Sequence, residues 1–325
     1  MRRLAVFGGG AWGTALAIVA RRAGAEVVLW ARDPTLTAAI NSRHENPVFL
    51  PGIALDPAIA ATADAEAALD GADAALMVVP AQFLRSVLGA VAPKVPLLLC
   101  AKGIENGSLK TMSELAAEIV PGVPVAVLSG PSFAAEVARD QPTAVTIASR
   151  DPSLARDFTT ALGTARFRPY LSGDPIGAEI GGAGKNVVAI ACGITDGCRL
   201  GDNARAALIT RGLAEIARLG QAKGADGDTF RGLSGMGDVV LTCSATQSRN
   251  HRLGVALGEG KTLAEALAGT RSVVEGVATA SSLAALAARL GVEMPITQAV
   301  DAVLHQGLPI GAMIEALLAR PYRAE

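Results

Sequence analysis

The chain has 325 residues, with 29 Lys and Arg against 30 Asp and Glu, so its formal net charge of −1 offers no global field to draw in nucleic acid or an anionic membrane. Hydrophobic residues make up 50% and charged residues 18%, which excludes a disordered chain, and the length suits two domains with substantial cores. Four cysteines without a C-x-x-C pair, and three histidines, point to neither zinc nor a disulfide framework; no metal is assigned.

Residues 1–10 read MRRLAVFGGG, two arginines before an apolar run that stops at Phe7, too short for a signal segment. No stretch approaches the ~20 apolar residues of a membrane span. The expected setting is the cytoplasm, with no stable membrane insertion. An anionic substrate must therefore be captured by a local cluster of donors.

Short apolar runs follow one another up to about residue 172: LAVF (4–7), VVLW (27–30), ALMVV (75–79), LLLC (97–100), VAVL (125–128) and AVTI (144–147). Each is nearly continuous, as strands covered on both faces must be. Segments with helical spacing, such as 12–22 and 111–120, lie between them. The alternation predicts an α/β fold whose N-terminal half is a Rossmann-type, doubly wound, mainly parallel sheet.

After about Asp174 the strand signal fades. Segments 175–199, 203–223, 249–258, 262–268, 275–290 and 296–304 repeat apolar residues at three- and four-residue intervals, which predicts an all-α second domain. The turn SGDP at 172–175 marks the boundary, so the expected domains are 1–173 and 174–325.

The strand LAVF runs into Gly8-Gly9-Gly10-Ala11-Trp12-Gly13 and then a helix, a G-x-G-x-x-G pattern in the context that makes it a dinucleotide loop. Gly8 permits the turn, Gly10 the approach of the pyrophosphate, and Gly13 close packing of helix on strand. Cofactor choice turns on the end of the second strand, where VVLW meets Ala31-Arg32-Asp33. Asp33 has roughly the spacing of a ribose-binding acid, but Arg32 comes first and suits a 2′-phosphate. NADP is favoured over NAD.

Lys102 follows the strand LLLC and Gly130-Pro131-Ser132 follows VAVL, so both stand at carboxyl ends of strands, where ligands of open α/β sheets lie. Ser132 either caps the next helix or faces the ligand. In the helical half, GGAGKNVVAIACG (181–193) places Lys185 among small and apolar residues, an unusual site for an ammonium. Asp238 and Thr242, four residues apart, share a face if helical. Ser248 is a plausible N-cap, which puts Arg249 and Asn250 at a helix N-terminus suited to a phosphate. Positive residues there oppose the helix dipole and so argue for an anion.

These stretches, with GGGAWGTALA, NPVFLPG, AKGIENG, LSGPSFAAEVA, GLSGMGDVVLTC, QSRNHRLG, VVEG and GVEMPIT, resemble the bacterial-type NAD(P)-dependent glycerol-3-phosphate dehydrogenases. Gly9 and Ala11 stand where that family usually has Ala and Ser, and Ala101 where it has Thr or Ser. The resemblance implies reversible interconversion of sn-glycerol 3-phosphate and dihydroxyacetone phosphate, supplying glycerol 3-phosphate for glycerophospholipid synthesis. It implies Lys185 as general acid/base, with Lys102, Asp238 and Thr242 in the active site. Ser248, Arg249 and Asn250 would hold the substrate phosphate, with Gly130 and Ser132 at its other side. Asn186 would orient either the substrate or the Lys185 ammonium. Ala11, Trp12, Arg32, Lys102, Ala134, Arg249, Val273 and Glu275 would line the cofactor beside the glycines.

Ketone reduction develops an alkoxide on oxygen, so a proton donor is needed there. Lys102 and apolar walls would push the Lys185 pKa down, with Asp238 opposing. The competing expectation is a related Rossmann-fold hydroxyacid or ketopantoate-type reductase, which would not need the Ser-Arg-Asn cluster. A homodimer is the expected assembly.

Overall fold

The computed structural model describes residues 1–270 and 272–321; residues 322–325, the end of the expected second domain, lie outside the described residues. Its strands are β1 (Arg3–Phe7), β2 (Glu26–Trp30), β3 (Glu45–Asn46), β4 (Leu50–Ala54), β5 (Ile59–Thr62), β6 (Ala74–Met77), β7 (Leu97–Leu99), β8 (Val125–Ser129), β9 (Thr143–Ala148) and β10 (Phe167–Ser172). Eight of them form one sheet in the order β10-β9-β8-β7-β6-β1-β2-β5, and β3 and β4 pair separately. All neighbours in the large sheet are parallel except β8 and β9, so β9 and β10 run against the rest.

The helices packed around this sheet are α1 (Ala11–Arg22), α2 (Pro34–Arg43), α3 (Ala65–Leu69), α4 (Leu84–Val91), α5 (Met112–Ile119), α6 (Ala134–Ala138) and α7 (Pro152–Leu162). Two apolar clusters, one around Leu4, Leu16 and Leu76 and the other around Phe7, Met77 and Leu99, cover its two faces. Burial on both faces is why the central strands read as unbroken apolar runs. The six expected strands are all present. The runs missed the small β3–β4 pair and, in the large sheet, β5 and β10. IAAT at β5 is short and alanine-rich, and FRPYLS at β10 is an edge strand with Tyr170 and Leu171 exposed.

From α8 (Pro175–Gly197) onward the chain is helical, with α9 (Asp202–Ala222), α10 (Asp238–Ser244), α11 (Arg249–Gly258), α12 (Leu263–Leu267), α13 (Glu275–Leu290), α14 (Pro295–His305) and α15 (Ile310–Leu318). Sequence periodicity omits α10 and α15. Asp174 caps α8 by accepting from Gly177 N at 2.9 Å, and Pro175 occupies its first turn. Every residue of α8 from Gly177 to Thr195 is buried, so this helix is the axis of the second half. Glycines let α11 cross it closely: a Cβ on Gly193 would lie 2.1 Å from His251 O, and one on Gly254 2.1 Å from Ile190 O. That contact fixes the start of α11, with Arg249 and Asn250, against the helix that carries Lys185.

Candidate active site

The strand order reverses between β1 and β6, the place where an open α/β sheet leaves a crevice at its carboxyl edge. The glycine loop sits there. Gly8 has φ +130°, and a Cβ on it would lie 2.9 Å from the Val78 carbonyl; one on Gly13 would lie 1.8 Å from Gly8 O. Both must be glycine. A Cβ on Gly9 would fall 2.5 Å from that of Ala31, which accounts for the missing alanine at this position.

This loop fits a dinucleotide. Helix α1 begins at Ala11 with no side-chain cap, nothing lies within 4 Å of where a Gly10 Cβ would project, and the indole N–H of Trp12 is buried without a partner. At the second strand's end, Asp33 is occupied: its carboxylate caps α2 by accepting from Thr35 N at 2.9 Å. Arg32 beside it is exposed. Ala134 is the first residue of α6, and Val273 is 43% exposed ahead of α13.

Across the crevice, β7 leads to Lys102 and β8 to Gly130, whose φ of +121° turns its carbonyl toward that lysine. Lys102 Nζ donates to Gly130 O at 2.9 Å and to Asp238 Oδ2 at 2.6 Å. From α8, Lys185 Nζ donates to Asp238 Oδ1 at 2.6 Å and to Thr242 Oγ1 at 3.0 Å. The Thr242 hydroxyl spends its proton on Asp238 O at 2.6 Å, leaving a lone pair for the ammonium. The expected helical face is thus α10, with Asp238 fully buried and bridging two lysines from the two halves of the chain.

Burial pushes the Lys185 ammonium down to about 8, Asp238 opposes, and Lys102 adds to the lowering. Burial works against the Asp238 charge, yet Lys102 and Lys185 outweigh it and hold that carboxyl below its ordinary value. The cluster carries one net positive charge, and its Lys185 is a weaker base than an ordinary lysine, with its pKa at about 8. It can exchange a proton with a substrate oxygen and favour a negative charge there.

Asn186 turns toward the scaffold. Its Nδ2 donates to Lys102 O at 3.1 Å, its Oδ1 accepts from Asn250 Nδ2 at 2.9 Å, and Asn250 Oδ1 accepts from Gly276 N at 3.0 Å. Of the two expected roles, a contact to the Lys185 ammonium is not among its hydrogen bonds; Asn186 instead fixes the backbone of Lys102. Ser248 caps α11 by accepting from His251 N at 3.2 Å, as its sequence predicts. Arg249 stands exposed at that first turn with no ion pair among the described residues. Ser132 does not cap α6; Phe133 takes the cap position, and the Ser132 hydroxyl donates to Gly130 O at 3.1 Å.

Glu275, at the start of α13, accepts from Ala81 N at 3.2 Å and so ties the helical half to the loop after β6. Burial pushes its carboxyl up to about 7 against the pull of Arg249, Lys185 and Lys102. Sequence reading missed several neighbours. A Cβ on Gly103 would lie 2.7 Å from that of Ala81 and 3.1 Å from Glu275 Oε2, so the glycine after Lys102 is required for the halves to meet. Glu179, six residues before Lys185, accepts from Ser113 N at 2.7 Å and Ser113 Oγ at 2.6 Å, holding α8 to the cap of α5. The AKG triplet signalled the first; nothing in the pattern of α8 signalled the second.

Residues 3–155 match the N-terminal part, and residues 174–315 the C-terminal part, of the NAD-dependent glycerol-3-phosphate dehydrogenases. A glycerol-3-phosphate dehydrogenase [NAD(P)+] of Rhodospirillum rubrum is 58% identical over 99% of this chain and 93% of its own. One from Caulobacter vibrioides is 56% identical over 99% of this chain and 98% of its own. The crystal structure of glycerol-3-phosphate dehydrogenase from Coxiella burnetii, 40% identical, superposes with a TM-score of 0.95 over 98% of this chain and 99% of that one. A glycine loop at the sheet's switch point, a lysine pair on one buried carboxylate and this end-to-end similarity place the chain in the NAD-dependent glycerol-3-phosphate dehydrogenase family, a family of oxidoreductases.

Proposed function

We propose that this chain catalyses the reversible NAD(P)-dependent interconversion of sn-glycerol 3-phosphate and dihydroxyacetone phosphate. The observation that carries the reading is the Lys185 ammonium held between Asp238 and Thr242 with its pKa brought down to about 8. In this reading residues 1–173 hold the dinucleotide and residues 174–325 the phosphate-bearing substrate. The nicotinamide, when bound, supplies or accepts the hydride at C2.

The chain's own residues do the rest. Lys185 gives its proton to the oxygen on C2 during reduction and takes it back during oxidation. Asp238 and Thr242 aim that ammonium, and Lys102 keeps positive charge beside the developing alkoxide. Arg249, with the first-turn N–H groups of α11, holds the phosphate, and Gly130 and Ser132 bound its other side. Asn186 and Asn250 tie these parts together. Gly8, Gly10, Ala11, Trp12 and Gly13 receive the pyrophosphate and Glu275 closes the crevice. The carboxylate-reductase alternative leaves Arg249 without a task, and the family relationship does not favour it.

Arg32 supports NADP over NAD, since Asp33 is spent on its cap. Production of glycerol 3-phosphate for glycerophospholipids is the proposed role. All four cysteines are free, which supports a reducing, cytoplasmic setting; among the described residues no helix is long and apolar enough to cross a membrane. A homodimer is proposed on the prevalence of two-fold association, and light scattering tests it. Following NADPH and NADH absorbance, each with dihydroxyacetone phosphate and with ketopantoate, tests the reaction. Oxidation of cofactor by the phosphate alone is expected; turnover of ketopantoate alone would overturn the reading.

A further inference from the structure

The small β3–β4 pair lies outside the main sheet, yet its first strand carries a fully buried asparagine. Asn46 Nδ2 donates to Gly9 O at 2.9 Å and to Thr14 Oγ1 at 2.8 Å, and its Oδ1 accepts from Phe49 N at 3.0 Å. Both amide protons and one lone pair are therefore committed, two of the three bonds reaching the glycine loop and the first turn of α1. The motif NPVFLPG, which opens with this residue, has no part in the mechanism above.

A trans peptide points its C=O and N–H in opposite directions. With Gly9 O held toward buried Asn46, the N–H of Gly10, in the same peptide, points away from Asn46. The Gly9–Gly10 peptide joins two residues without Cβ atoms, the kind of unit most free to turn over. A turned peptide would present a carbonyl oxygen where the loop should offer a donor. Thr14, itself fully buried, gives the second Asn46 proton an acceptor and so sets the plane of the amide.

We propose that Asn46 is a positioning residue of the dinucleotide site: its amide locks the Gly9–Gly10 peptide so that the Gly10 N–H faces the pyrophosphate. This rests on the reading of Gly8–Gly13 as the dinucleotide loop. Asn46 does not touch the cofactor; it acts through one peptide plane. The effect belongs to cofactor affinity and not to the proton-transfer step.

The test uses NADPH titrations by fluorescence and full kinetics on the intact enzyme. Asn46→Asp keeps the shape but replaces both donors with lone pairs facing Gly9 O. It is expected to raise the NADPH Kd roughly 5- to 50-fold, the scale of a buried hydrogen bond lost. At saturating NADPH, kcat and the KM for dihydroxyacetone phosphate should stay within about twofold. Thr14→Val, which removes the second acceptor, should raise Kd by a smaller factor, and Thr14→Ser should restore it. Gly10→Asp, which sets a negative charge in the open position, is the reference for a blocked loop. If Gly10→Asp abolishes NADPH binding while folded Asn46→Asp leaves Kd unchanged, the Asn46 inference is overturned and the loop reading stands. Equal losses in kcat and both substrate constants in Asn46→Asp also overturn it. If Gly10→Asp itself leaves Kd unchanged, the loop reading fails and takes the inference with it. Should Asn46→Asp not fold, the Thr14 pair decides: a raised Kd in Val restored in Ser supports the lock, and equal values overturn it.

Discussion

Lys185 and Lys102 hold opposite oxygens of the Asp238 carboxylate, each at 2.6 Å, and the carboxylate is fully buried. Two ammoniums in one crevice repel, and the single negative charge between them offsets that repulsion. Asp238→Asn keeps the shape and removes that charge, leaving the lysines uncompensated. Removing one partner of a buried ion pair typically costs about 3–5 kcal/mol. A lower melting temperature and a kcat reduced by at least ~10² are expected, since the acid would be both misaimed and partly deprotonated. Thermal unfolding and steady-state rates check this together. A variant with wild-type melting and turnover would remove Asp238 from the centre of the site.

The pH profile follows from the direction of the Lys185 shift. In the proposed mechanism reduction of the ketone needs the ammonium, whose pKa burial brings down to about 8. The reductive kcat/KM should therefore be level below about pH 8 and fall about tenfold per unit above it. Oxidation needs the free amine, so its kcat/KM should rise through the same region and then level. The apparent value belongs to the coupled cluster of Lys185, Asp238 and Lys102. A phosphate's second ionisation lies near 6 and stays clear of this limb. Lys185→Ala should lose at least ~10²–10⁴ in kcat and lose the limb while still binding NADPH. The same limb surviving in Lys185→Ala would assign it to another group.

Much of this site is legible in sequence because its chemistry sits where backbone rules place it. Gly8 and Gly13 are dictated by a strand-to-helix turn, Lys102 and Gly130 by the carboxyl ends of strands, and Ser248 by an N-cap. The meeting of Lys102, Lys185 and Asp238 is not legible in that way. It depends on two halves docking, through Gly103 against Glu275 and Glu179 on Ser113; the AKG triplet marks the glycine but not its partner, and no local pattern encodes the Glu179 contact. Asn186 shows the same limit. Its neighbours in sequence suggest a ligand-facing amide, but Asn250 and the Lys102 carbonyl claim it once the halves close. The strands missed in the large sheet, β5 and β10, are its edge strands, whose alanines and exposed side chains carry little period.

Arg249 is poised differently from the two lysines. It stands exposed in the first turn of α11, beside the capping hydroxyl of Ser248, with no carboxylate paired to it among the described residues. A charge-assisted hydrogen bond from a guanidinium to a phosphate is worth ~1.5–3 kcal/mol. Arg249→Ala should therefore raise the KM for dihydroxyacetone phosphate roughly 10- to 150-fold and lower kcat much less. Initial rates across substrate concentration measure both constants. An unchanged KM would take Arg249 out of the phosphate site.

We propose that cofactor preference is set two residues beyond the second strand. Asp33 has the spacing of a ribose-binding acid, but its carboxylate accepts from Thr35 N at 2.9 Å and starts α2. Moving it onto a ribose would strip the helix of its cap, a loss of about 1 kcal/mol. Arg32 carries no such duty and stands exposed at the strand end, where a 2′-phosphate would lie. Arg32→Ala should raise the KM for NADPH by roughly tenfold or more, as expected for one guanidinium–phosphate contact. The KM for NADH should move within about twofold, because NADH has no phosphate to lose. The ratio of the two kcat/KM values is the deciding measurement. Equal changes for both cofactors would mean that Arg32 shapes the loop and does not read the phosphate.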